Sequence, residues 1–212
     1  MKVLITGASR GIGRACAERF AAAGHRVTAV ARSASQLQAL ASRFPATDVR
    51  AADLTVDSIE GTFDVVVLNA GVYAPGTLLD PARDVFGESF ALNVLANHRL
   101  ARTLLPPMIA RGSGHLVVIG STATDDTSPH MTAYAATKKA LRGLWEGWQA
   151  DLDGTGVLTA LIAPGATVTS SWEKEDPPPH ALQPAAVAEL VYRVVAEGLA
   201  GRHVLRGKTP GA

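Results

Sequence analysis

The sequence predicts an α/β protein built in three layers, a doubly wound, seven-stranded parallel sheet with helices on both faces. Three observations predict it. Short apolar runs, each the length of a buried strand, recur along the chain, and segments of 3.6-residue periodicity lie between them. Strand and helix alternate in βαβ order, which right-handed crossovers turn into a parallel sheet covered on both faces. The 212 residues suit one such domain spanning 1–212, and neither an internal repeat nor a linker divides them.

The first strand covers 3–6, Val-Leu-Ile-Thr, and stops at Gly7. A helix over 11–23 follows, with Ile12, Cys16, Phe20 and Ala23 on one stripe. The run 26–31 predicts the second strand, 35–44 a helix and 48–52 the third strand. Only about a dozen residues then separate Asp53 from the strand at 64–69, too few for a full crossover helix. A long helix over 83–105, carrying Phe86, Phe90, Asn93 and Leu104 on a shared stripe, precedes the strand at 115–120. A helix over 134–152 precedes the strand at 157–163. The stretch 170–183, with Pro177-Pro178-Pro179, is irregular. A last helix over 184–199 has Val187, Leu190, Val191, Val194 and Leu199 on its apolar stripe, and 203–206 closes the sheet.

Composition narrows the function classes. At 47% apolar and 18% charged residues the chain is no disordered tail. Its 3 Trp, 3 Tyr and 5 Phe leave the core to Ala, Val and Leu. A net charge of +1 argues against a nucleic-acid protein held by phosphate neutralisation. The single Cys16 excludes an internal disulfide and a zinc site of several thiolates, and no metal is expected. No apolar run approaches the ~18 residues of a membrane span. Val3-Leu4-Ile5 is too short for a signal-peptide core, so a cytoplasmic location is expected. Charge is uneven, however. Residues 1–50 carry eight basic and only two acidic side chains, which suits an anionic ligand at the chain's opening.

That opening contains Thr6-Gly7-Ala8-Ser9-Arg10-Gly11-Ile12-Gly13, a glycine loop joining strand to helix. Gly7 allows a tight turn, Gly11 lets the backbone approach a pyrophosphate, and Gly13 lets the helix pack closely on its strand. The amides and positive end of the helix then hold the anion. A nicotinamide dinucleotide bound this way normally meets an acidic side chain at the end of the second strand, on the ribose 2′-hydroxyl. Here that strand ends Ala31-Arg32-Ser33, without a carboxylate. Arg32, supported by Arg10, is suited to a 2′-phosphate instead. NADP(H) is therefore expected ahead of NAD(H).

Chemistry-bearing residues appear further on. Tyr134 and Lys138 are four apart and share a helix face. A free tyrosine, with a pKa of about 10, is a poor base at neutral pH, and a neighbouring ammonium stabilises its phenolate. Such a pair can give a proton to a developing alkoxide or take one from an alcohol. Ser121 follows the fifth strand, where its hydroxyl can bond the reacting oxygen. Asn93, inside a helix, must find polar partners if buried.

Taken together, these motifs resemble the short-chain dehydrogenase/reductase superfamily over nearly the whole chain. They are the glycine loop, Asn69-Ala70-Gly71, Asn93, Ser121, Tyr134-x-x-x-Lys138, and Pro164-Gly165 followed by Thr169. The resemblance implies a Rossmann fold and a proton relay. In it Tyr134 is acid/base, Lys138 lowers the tyrosine pKa and binds nicotinamide ribose, Ser121 orients substrate, and Asn93 holds a water behind Lys138. It further implies cofactor contact along Gly7, Ser9, Arg10, Gly11, Ile12 and Gly13, at Asp53 and Leu54 beside adenine, at Asn69, Ala70 and Gly71 beside the ribose, and at Pro164, Gly165, Thr167 and Thr169 beside nicotinamide. Leu68 stands where the family usually has a first Asn, and 170–183 is shorter than its usual substrate cover.

The implied activity is hydride transfer between NADP(H) and a small-molecule carbonyl or alcohol substrate. A non-enzymatic NADP-sensing module is the alternative, and the full Ser–Tyr–Lys set argues against it. A homodimer or homotetramer is expected from pairing of the two long helices across a two-fold axis. Trp172 is a candidate substrate contact, whereas Cys16, Trp145 and Trp148 are expected to be packing residues.

Overall fold

The structure, a computed structural model, describes residues 1–75, 85–126, 129–172 and 176–208. Its sheet has seven strands: β1 (Lys2–Thr6), β2 (Arg26–Ala31), β3 (Thr47–Ala51), β4 (Val65–Leu68), β5 (Gly114–Ile119), β6 (Val157–Pro164) and β7 (Gly201–Leu205). Their order is β3-β2-β1-β4-β5-β6-β7, and every neighbouring pair is parallel. The chain builds outward from β1 to β3, returns to β4 beside β1, and builds the other way. The order therefore switches between β1 and β4, and the crevice beyond their carboxyl ends is where such sheets bind ligands.

The described helices are α1 (Gly11–Ala22), α2 (Ala34–Arg43), α3 (Val85–Phe90), α4 (Asn97–Arg111), α5 (Thr132–Asp151) and α6 (Pro184–Ala196). Strand alternation sorts them into layers. Val3 and Ile5 of β1 enter one core cluster with Phe20, Leu37, Leu40, Val187 and Val191, from α1, α2 and α6. Leu4, between them, enters a second cluster with Leu100, Leu104, Leu141, Trp145 and Trp148, from α4 and α5. In β4, Val65 and Val67 face the first cluster while Val66 and Leu68 face the second. Central strands buried on both faces leave no polar alternation, which is why they appear in the sequence as continuous apolar runs. Trp145 and Trp148 are buried, as packing residues should be.

Two segments depart from simple helix. The helix anticipated at 83–105 starts, within the described residues, at Val85, since 83–84 lie outside them. It passes through a π-turn at Ala91–Ala96 and continues through Pro106 and Pro107 to Arg111. The two prolines remove amides that would bond the carbonyls of Arg102 and Thr103, but both residues are exposed, so water can serve them. The π-turn shifts the register. Phe86 consequently stands half exposed and stacks on Phe90, at 4.7 Å between centroids, in place of the buried stripe anticipated.

The connection from β3 to β4 has no helix, as its length dictates. Its carbonyls are bonded from outside by arginines. Arg99 donates to the Leu54 and Thr55 carbonyls, both at 2.7 Å, Arg50 to that of Glu60 at 3.1 Å, and Arg111 to that of Phe63 at 3.0 Å. Leu54, Ile59 and Phe63 are buried beneath them. Among the described residues, no helix is long and apolar enough to cross a membrane.

Candidate active site

The switch point is laced together before any ligand is considered. The Thr6 hydroxyl accepts the amides of Asn69 and Ala70, each at 2.9 Å, and Asn69 Nδ2 donates back to the Thr6 carbonyl at 2.9 Å. Gly7 leaves β1 with φ +68°, and a Cβ there would lie 2.8 Å from Asn69 Nδ2. A Cβ on Gly13 would overlap the Gly7 carbonyl oxygen, so the helix sits this close to the loop only because the residue is glycine. Gly11 faces the segment after β6, where a Cβ would come within 3.1 Å of Thr169 Cγ2. Ser9 and Ile12 are half-buried in the same loop. No side chain caps α1, and its first turn holds no acidic residue. The positive helix end and the glycine cradle fit the pyrophosphate of a dinucleotide.

Beyond β2 and β3 lie the residues expected at the adenosine end. Arg32 immediately follows β2, and both it and Arg10 are exposed. Asp53 follows β3, with Leu54 buried next to it. The N–H and hydroxyl of Thr55 donate to the Asp53 carboxylate at 2.9 and 2.7 Å. Those bonds first, and Arg32 more weakly, hold the Asp53 carboxyl below the usual carboxylate range.

Ser121, Tyr134 and Lys138 converge at the carboxyl end of β5. The Ser121 hydroxyl accepts the Ala123 amide at 3.1 Å, and its proximity to the Tyr134 hydroxyl favours the ionised phenol. One turn along α5, Lys138 Nζ donates to the Ile119 carbonyl at 2.9 Å and stands 5.8 Å from the centroid of the Tyr134 ring. Burial pushes the Lys138 pKa down to about 8. The sequence suggested that this ammonium would lower the tyrosine pKa. In the structure Tyr134 is raised. Desolvation is the largest cause, Ser121 opposes it, and the neighbouring phenol of Tyr73 adds to it. The burial that favours the neutral phenol also disfavours the charge meant to stabilise the phenolate.

Asn93 is fully buried in the π-turn, and its amide is completely used. Its Oδ1 accepts the Val72 N–H at 2.7 Å, and its Nδ2 donates to the Val72 carbonyl and to Thr137 Oγ1, both at 3.0 Å. Thr137 in turn donates to the Tyr134 carbonyl at 2.7 Å. Asn93 thus brackets the segment after β4 to the turn of α5 that carries Tyr134 and Lys138. On the other side, Pro164 ends β6 and the Gly165 amide donates to the Leu205 carbonyl at 2.8 Å. Thr167 Oγ1 donates to the Gly165 carbonyl, and the Trp172 indole N–H donates to the Thr167 carbonyl, both at 2.9 Å. Trp172 therefore braces 167–172 with its polar edge.

A family model described as short chain dehydrogenase matches residues 1–179. The chain belongs to the short-chain dehydrogenase family. It is 34% identical over 190 residues to a short chain dehydrogenase of Pseudocercospora fijiensis, covering 82% of this chain and 62% of that one. Two further curated relatives are covered over 61% and 57% of their length, so the chain spans about three-fifths of the relatives it matches. Among solved structures it is similar to an alcohol dehydrogenase from the archaeon Thermococcus sibiricus complexed with 5-hydroxy-NADP. Identity is 26% and the TM-score 0.87, covering 100% of this chain and 99% of that one. It is also similar to a short-chain dehydrogenase from Sphingobium yanoikuyae in complex with NADPH, at 28% identity and TM-score 0.88, over 96% and 87% of the two chains.

For this member of an oxidoreductase family, the structure brings Ser121, Tyr134 and Lys138 together, and Gly7, Gly13, Asn69 and Ala70 at the switch point. Thr169 joins Gly11 across the crevice. Sequence reasoning missed Thr137, Val72, Tyr73 and the Ile119 carbonyl. Thr137 sits inside the Tyr134-x-x-x-Lys138 motif, and its position was the available signal. The other three act through backbone groups or through a fold contact that no spacing reveals. Cys16 is buried, with its thiol pushed up to about 12, and serves the core.

Proposed function

We propose that the chain is an NADP(H)-dependent oxidoreductase that moves a hydride between C4 of nicotinamide and the carbon of a small carbonyl or alcohol substrate. One observation carries the reading: at the carboxyl end of β5 the Ser121 hydroxyl neighbours the Tyr134 phenol, and Lys138, one turn along α5, donates to the Ile119 carbonyl with its Nζ 5.8 Å from the Tyr134 ring centroid. When bound, the coenzyme supplies the hydride. The loop Gly7 to Gly13, with Ser9 and Ile12, would hold its pyrophosphate. Arg10 and Arg32 would hold the 2′-phosphate, and Asp53 and Leu54 would border adenine. Asn69, Ala70 and Gly71, with Lys138, would hold the ribose side, and Pro164, Gly165, Thr167 and Thr169 the nicotinamide.

The chain's own work is to receive the substrate oxygen and feed it a proton. Ser121 and Tyr134 meet that oxygen together. Because burial raises Tyr134, its phenol is protonated at neutral pH, the form that donates as negative charge develops on a carbonyl oxygen. Lys138, with a pKa of about 8, is mostly an ammonium at pH 7 and faces the phenolate left behind. Carbonyl reduction is the direction these protonation states support. The exposed Arg32 at the end of β2 and Arg10 in the glycine loop, with no carboxylate on that strand end, support NADP(H) over NAD(H). The exposure of Leu95 (56%) and Ile109 (42%), on the helical run from 85 to 111, supports pairing of copies as a homodimer or homotetramer.

The test follows loss of NADPH absorbance across a carbonyl panel. Tyr134→Phe should lower kcat by about 100-fold or more while NADPH affinity stays within about threefold. Full turnover by Tyr134→Phe would overturn the mechanism. Tight NADPH binding with no turnover of any carbonyl by the unaltered chain would favour the sensing module.

A further inference from the structure

Besides raising the pKa of the Tyr134 phenol, Tyr73 packs its ring edge-on against that of Tyr134, with centroids 5.1 Å apart and planes at 79°. Its place on the chain is fixed from both sides. Val72 is gripped at its N–H and its carbonyl by Asn93, and Ala74 is buried. The backbone that carries Tyr73 is therefore held in place by the Asn93 bracket. The side chain is only half-buried, so part of it covers Tyr134 and part stays accessible.

The carbonyl carbon whose oxygen is received by Ser121 and Tyr134 carries two substituents, and one that passes beside the Tyr134 ring meets Tyr73. Aromatic faces and edges favour other flat apolar groups at this range, whereas a charged substituent would lose water against the ring. We propose that Tyr73 is a specificity-determining residue, an aromatic wall that selects carbonyl substrates bearing a planar apolar group, aryl or cyclic, next to the reacting carbon. The inference rests on the oxidoreductase reading and adds a substrate class to it.

The probes are acetophenone and 2-butanone, two methyl ketones that differ in the group at issue. For the unaltered chain, kcat/KM should favour acetophenone by about tenfold or more. Tyr73→Ala should cut that ratio about tenfold, with NADPH affinity within about threefold of the unaltered chain. Tyr73→Phe, which keeps the ring, should retain the ratio. If neither ketone turns over, the same ratio is read from their dissociation constants for the NADPH-loaded chain, by quenching of nicotinamide fluorescence. An unchanged ratio in Tyr73→Ala, or no aryl preference at the start, overturns the inference while leaving the oxidoreductase reading intact. Failure of the unaltered chain to bind NADPH would instead remove the reading on which it rests.

Discussion

On β5, the His115 imidazole is buried at 5% exposure and leaves Nε2 without a partner among the described residues. Desolvation pulls its pKa down to about 4. An unfolded chain titrates histidine near ~6.5, so between these values the unfolded state binds more protons. The contribution to stability is complete above pH 6.5 and drains as pH falls toward 4. Urea midpoints at pH 7 and 4.5 should show a loss of about 2–3 kcal/mol from this group, and His115→Leu should lose correspondingly less. Equal losses in the two proteins would show that His115 is not the titrating group. Lys138 obeys the same sign, because its folded value of about 8 lies below the 10.5 of a free lysine. Its contribution is complete above pH 10.5 and lost as pH falls through 8, so at pH 7 the fold bears the cost of a buried ammonium. Lys138→Met should therefore raise unfolding free energy at pH 7 by about 1–2 kcal/mol, after allowing for the lost bond to Ile119, while turnover falls. A drop in stability would refute the assigned burial cost.

Among elements, the β3-to-β4 connection and the π-turn set the site's frame. The first was legible: a dozen-residue gap forbids a helix, and the structure has none. What length could not show is that Arg50 of β3, with the sequence-distant Arg99 and Arg111, serves the carbonyls a helix would have served itself. Arg99→Ala should cost about 1–2 kcal/mol in a denaturant titration, a discounted figure for two charge-assisted bonds on an exposed side chain, with NADPH affinity unchanged. An effect on NADPH affinity equal to that on stability would mean the connection is coupled to the glycine loop. The π-turn was not legible at all, since apolar spacing encodes a 3.6-residue repeat and a single inserted residue leaves no mark on it. Phe86 was misplaced for that reason. Asn93 was found because a buried amide in a helix needs partners. Those partners, Val72 and Thr137, come from other elements and could not be named from spacing.

At the scale of the molecule, the parallel sheet was readable because each central strand is apolar on both faces, and the cofactor end because glycine is required wherever a Cβ would strike Gly7 or Asn69. The tyrosine pKa was not readable, because its direction depends on burial and not on neighbours in the chain. The basic first fifty residues fold into the half of the sheet holding β1, β2 and β3, but they do not act as one patch. Arg14 and Arg43 pair with Glu18, and Arg19 pairs with Glu189, which leaves Arg10 and Arg32 exposed near the carboxyl ends of β1 and β2. A ligand bound across the β1–β4 switch touches both halves of the sheet and must stabilise the whole fold by mass action. At one hundred times its dissociation constant, NADPH contributes about 2.7 kcal/mol, which for a chain of this size raises Tm by roughly 5–10 °C. Arg32→Ala removes one charge-assisted contact to the 2′-phosphate and should weaken NADPH three- to tenfold, about 1 kcal/mol, shrinking that rise by roughly 2–4 °C at the same concentration. The rise produced by NADH, which lacks the phosphate, should be unaltered. Added salt should erode the NADPH rise more than the NADH rise, since Arg32 is exposed and its charge is screened. Equal losses for the two coenzymes in Arg32→Ala would place the arginine outside the 2′-phosphate site and return the choice between NADP(H) and NAD(H) to Arg10 alone.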